Sequence, residues 1–163
     1  IDWRPDGGPD YTFADPAPYR FDPNAPFQAD ENGTMVQIPT TVSFLRGDHF
    51  RMARLRAMLG KGPAKRLHAI GVSNRLGLVS RRWLSPEASS GQDMVRLVRA
   101  RMNRGSRVLG LTFHSCTLLP GATPFVRDAS DRVRFLTAID TVLQYCSEQG
   151  LTFKTLREVA QDY

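Results

Sequence analysis

Leu109-Gly110-Leu111-Thr112-Phe113-His114 is an apolar, strand-like run that ends on a histidine and continues through Ser115-Cys116-Thr117-Leu118-Leu119 into Pro120-Gly121. A short apolar run bounded by turn residues predicts a buried strand. In strand-helix folds, a histidine at the C-terminal end of such a strand points out of the apolar layer to where substrates are met. His114 is therefore the residue on which a functional reading turns. The plainer reading is a histidine that serves packing or one local hydrogen bond.

The surrounding pattern alternates strand with helix. Residues 34–44 are rich in β-branched side chains and broken by Pro39, which predicts a strand with a bulge or an end at the proline. A helix follows over 48–59, capped by Asp48, with Gly60 as its stop. A second helix is expected over 64–74, and a short strand over 79–84 that ends in a Ser85-Pro86 turn. Residues from 92 or 93 to 103 read as a helix with Met94, Leu97, Val98 and Met102 on one side. Ser130 or Asp128 caps the clearest helix, where Val133, Leu136, Ile139, Leu143 and Cys146 recur at helical spacing and Gly150 is the stop. Thr155-Leu156-Arg157-Glu158 is a capping box that opens a last short helix. This order predicts an α/β chain with parallel strands and helical crossovers. Residues 1–33 hold most of the prolines, with aromatics between them, and read as an irregular loop that packs on a surface; 34–163 carry the strand-helix units.

The 163 residues suit one domain but are few for a complete α/β barrel. No apolar stretch approaches the length of a membrane span. The net charge is +6 and the calculated pI about 9.9, carried mostly by arginines such as Arg46, Arg51, Arg54, Arg56, Arg81 and Arg82. A solvated basic surface is the first reading of this charge, and attraction to an anionic glycan or a nucleic acid the second. Aromatics are not interleaved with these arginines, and no helix-turn-helix, zinc-finger or RNP pattern occurs, which counts against nucleic acid as a partner. Cys116 and Cys146 have neither metal-ligand spacing nor a disulfide pattern, so free thiols in a reducing, cytoplasmic compartment are expected.

Two stretches together resemble the polysaccharide deacetylase-like family (the NodB-homology fold), in particular its WalW-type branch. In the first, 109–127, a strand ending Phe-His-Ser is followed by Leu118-Leu119-Pro120-Gly121 and Thr123-Pro124-Phe125-Val126-Arg127, ahead of a long helix and the terminal Thr-Leu-Arg-Glu. The second is Asp2-Trp3 with Gly8-Pro9-Asp10-Tyr11 and Ala17-Pro18-Tyr19. The resemblance implies the C-terminal portion of a distorted (β/α)7 barrel, and metal-dependent hydrolysis of an acetyl group on a polysaccharide or oligosaccharide. It places His114 as the acid that protonates the leaving group and Asp2 as its orienting carboxylate. It also places Leu111 at the acetyl-methyl pocket and Trp3 at the aromatic wall of the groove.

In the family, a divalent metal, zinc by expectation, is held by a paired-aspartate strand end and a His-x-x-x-His segment. Neither pattern occurs in this sequence, and His49, His68 and His114 lack ligand spacing. The resemblance therefore implies a chain that binds no metal and is inactive alone, its metal-holding N-terminal part lying elsewhere as a partner of the same domain. The alternatives are a non-catalytic carbohydrate-binding or scaffold member of the fold and, third, a basic nucleic-acid-binding domain.

Overall fold

The chain, as a computed structural model, is described for residues 17–47, 49–59 and 81–163. In order these form strands β1 (Tyr19–Phe21), β2 (Met35–Gln37) and β3 (Val42–Phe44), helix α1 (His49–Leu59), strand β4 (Arg81–Trp83) and helix α2 (Gly91–Met102). A 3-10 turn (Ser115–Leu118), helix α3 (Ala129–Glu148) and helix α4 (Leu156–Gln161) complete them. Two compact units emerge: Thr41–Thr152, and Ile1–Thr40 with Phe153–Tyr163.

In the larger unit, β3 pairs antiparallel with β4, Val42 opposite Trp83 and Phe44 opposite Arg81. Its core is Leu84, Met94, Leu97, Val98 and Val142, joined by partly buried Leu109, Leu111, Ala138 and Tyr145. Met94, Leu97 and Val98 recur at the helical i, i+3, i+4 spacing and have no exposed surface, so each contributes about 1.5–3 kcal/mol of burial. The Ser90 hydroxyl caps α2 by accepting from the Asp93 amide at 3.2 Å. Gly91 brings that end of α2 onto α3, for a Cβ there would stand 3.0 Å from Thr141 Cβ and 3.2 Å from Ala138 Cα and O. The Asp128 carboxylate caps α3 through the Asp131 amide at 2.8 Å, and Gly150, at φ 72°, closes its far end.

In the smaller unit, β1 and β2 pair antiparallel, with Tyr19 and Phe21 buried and their rings edge to face at 6.2 Å. Gly33 is required here by close approach, because a Cβ would fall 2.4–2.5 Å from the Phe21 backbone. Arg20 donates to the Gly33 carbonyl at 3.0 Å and to that of Tyr163. The Thr155-Glu158 capping box is formed as the sequence predicts.

These strands correct the expected architecture. Among the described residues there are two two-stranded sheets, both antiparallel, and no parallel pair or barrel. The α/β content stands; the C-terminal portion of a distorted (β/α)7 barrel with parallel strands and helical crossovers does not. The run leading to His114 is not a strand, though His114 itself has extended backbone. Gly110 accepts from the Thr41 amide at 3.1 Å, yet its own N–H is taken by the Thr41 hydroxyl at 2.8 Å and not by a strand carbonyl. A side chain has captured the donor a ladder needs, and glycine adds little to a sheet.

Pro39 does separate two strands, which belong to different sheets, and β1 lies within the segment expected to be an irregular loop. The helix expected over 64–74 lies outside the described residues. No helix among the described residues is long and apolar enough to cross a membrane.

Candidate functional site

His114 closes the apolar run and stands at the N-terminal boundary of the 3-10 turn Ser115–Leu118. The preceding Phe113 is fixed edge-on against Phe135 of α3, with ring centroids 5.6 Å apart at 82°. The following turn is closed by the Thr117 amide donating to the His114 carbonyl at 2.9 Å. The imidazole is thereby held at the surface with 76% of its side chain exposed.

The partner that orients it is Glu87. The link between β4 and α2 folds back over Ser85-Pro86-Glu87, where proline supplies the turn's φ and the Ser85 carbonyl accepts from the Ala88 and Ser89 amides at 3.1 and 3.0 Å. This turn tucks the Glu87 side chain down to 9% exposure. Its Oε1 accepts from the Thr117 hydroxyl at 2.5 Å and from the His114 backbone amide at 3.0 Å, and its Oε2 lies 2.9 Å from His114 Nδ1. Thr117 itself is fully buried. Burial pushes the Glu87 carboxyl up, but the Thr117 hydroxyl, the His114 amide and the His114 ring outweigh it and hold the carboxyl below the usual glutamate range.

An ionised carboxylate is an acceptor only, so the ring nitrogen facing it must carry a proton. Nδ1 is thus the donor to Glu87, and Nε2 is the nitrogen of this exposed ring that Glu87 does not engage. The arrangement is an imidazole with a fixed tautomer, a fixed ring plane and one nitrogen without a partner among the described residues.

Of the residues singled out in the sequence, His114 and Leu111 are described, and Asp2 and Trp3 lie outside the described residues. Leu111 packs, partly buried, against the α2–α3 core. Sequence reasoning missed Glu87, although a signal existed: between Asp48 and Asp93 it is the lone acidic residue in a stretch crowded with Lys and Arg.

The implied metal does not fit these residues. No group of three His, Cys, Asp or Glu side chains converges among the described residues, and the His114–Glu87 pair is already spent on a hydrogen bond. A groove of about 620 Å³ runs along α3 and the first turn of α2, walled by Pro86, Ala88, Ser90, Phe125 and Phe135. His114 is not part of its wall. The chain matches no protein-family model, no curated protein and no solved structure.

Proposed function

We propose that this chain carries the proton-transferring histidine of a polysaccharide deacetylase-like hydrolase, which releases acetate from an acetylated polysaccharide or oligosaccharide. The observation that supports it is the Glu87–His114 pair, with Nδ1 committed to a buried carboxylate and Nε2 open. On this reading Nε2 protonates the leaving sugar nitrogen or oxygen, and Glu87 stabilises the imidazolium that carries the proton beforehand. Glu87 takes the orienting role that the resemblance assigned to Asp2. The reading requires metal-holding residues other than those described. A reducing, cytoplasmic compartment belongs to the same reading and is supported by the free thiols of Cys116 and Cys146.

The test is acetate release from acetylated chito-oligosaccharides by the natural gene product that contains this sequence. His114→Ala is expected to lower turnover about 100-fold or more with little change in metal content, the loss typical of a removed general acid. Binding of the oligosaccharide without acetate release favours a non-catalytic carbohydrate-binding role instead. An unimpaired His114→Ala enzyme removes the proton-transfer assignment.

A further inference from the structure

Strand alternation sends the two adjacent arginines of β4 to opposite faces. Arg82 points toward α2, where its Nε lies 3.1 Å from Asp93 Oδ2. Arg81 points the other way, is exposed, and pairs with no carboxylate among the described residues. More positive charge stands close by. Although exposed overall, the Arg81 guanidinium is partly desolvated, and this together with the neighbouring Arg56 charge pulls it below its ordinary value; Arg104 donates at 2.8 Å to the carbonyl of Phe44, the residue opposite Arg81 in the ladder. The wider setting agrees: within Thr41–Thr152, Lys and Arg outnumber Asp and Glu by more than two to one, whereas acids outnumber bases in the rest of the chain.

Trp83 shares the Arg81 face, two residues along the strand, and is 36% exposed. Side chains at i and i+2 of a strand stand about 7 Å apart. That span suits one pyranose ring laid on an indole with a ring substituent reaching the guanidinium. The indole face is electron-rich and attracts the C–H face of a sugar. A guanidinium presents a planar fork to a carboxylate.

We propose that the Arg81–Trp83 face of β4 is a binding subsite for a uronate unit of an acidic polysaccharide, with Trp83 under the ring and Arg81 on its carboxylate. The excess positive charge of the larger unit draws such a polymer in, and the charge complementarity is what commits the face to this occupant. The choice of a sugar rests on the proposed deacetylase reading. It makes the substrate an acidic glycan.

The 163-residue chain is titrated calorimetrically with an oligogalacturonate, a neutral chito-oligosaccharide and a single-stranded DNA of matched charge, in about 0.15 M salt where long-range attraction is screened. The oligogalacturonate is expected to bind and to change tryptophan fluorescence, a change that Trp83→Ala abolishes. Arg81→Gln is expected to weaken binding about tenfold or more, and Arg81→Lys to restore only part of it. Arg107→Gln, which removes an exposed charge elsewhere on the same unit, is expected to have less than a threefold effect. Equal losses in the Arg81 and Arg107 variants, tighter binding of the DNA, or no uronate binding would each overturn the subsite. Acetate release is read separately, on the natural gene product. Release without uronate binding sinks the subsite and leaves the deacetylase reading, and uronate binding without release does the reverse.

Discussion

Glu87→Gln removes one charge from the centre of the site and changes little in shape, so its effect can be worked from the contacts. The glutamine keeps an oxygen for the Thr117 hydroxyl and the His114 amide, which both meet Oε1 in the wild type. Both bonds become neutral. Bonds to charged groups contribute about 1.5–3 kcal/mol and neutral ones about 1 kcal/mol, so the two together lose about 2 kcal/mol. The ring pair adds little, since His114 is largely exposed. For a chain of this size about 2 kcal/mol corresponds to a melting temperature lower by about 4–8 °C.

The pH dependence has a definite sign. The Glu87 carboxyl is depressed in the folded chain, so its contribution is complete above the unfolded glutamate value, about 4.3, and is lost as pH falls through the lower folded value. The gap between wild type and Glu87→Gln in urea denaturation is therefore expected at pH 7 and should close on acidification well below about pH 4. The substitution also places an NH2 against Nδ1, which drives the ring proton to Nε2, and imidazole 15N shifts should report the exchanged tautomer. No gap at neutral pH, a gap that persists unchanged in acid, or an unmoved tautomer would refute the account of Glu87 as the charged orienting partner.

Thr117→Val leaves the buried carboxylate one donor short at nearly constant volume and is expected to cost about 1–2 kcal/mol in the same urea assay. Leu97→Ala opens a cavity in the fully buried centre of α2 and should cost about 3–5 kcal/mol. Gly33→Ala forces a Cβ into the Phe21 backbone and should destabilise the β1–β2 hairpin by about 1–3 kcal/mol, seen as faster amide exchange at Tyr19 and Phe21 with α2 unaffected.

Helices were the legible part of this sequence, because their signals are local. Asp128, Gly150 and the Thr155-Glu158 box sit within a turn of what they control, and each marks a real boundary. Apolar spacing was less decisive for α3, which carries apolar residues on two faces. The set Val133, Leu136 and Leu143 is exposed, while Phe135 and Val142 are buried. Spacing alone does not say which stripe meets α2; the close contact at Gly91 does. Strand direction was not legible at all, since it depends on partners far along the chain, and the Thr41 hydroxyl that disrupts the ladder at Gly110 is 69 residues away. Glu87 escaped notice for the same reason, being 27 residues from the histidine it holds, with nothing in its local sequence to mark it beyond the isolation of its charge.

The same carboxylate grips His114 twice, by its ring and by its backbone amide. An amide at an exposed turn would ordinarily trade its hydrogen with water almost at once. Here that hydrogen is shielded only while Glu87 is in place, so its exchange rate is a built-in gauge of whether the imidazole is aimed. The gauge needs neither substrate nor assay of turnover, and in the wild-type chain it can be read before the sugar is known.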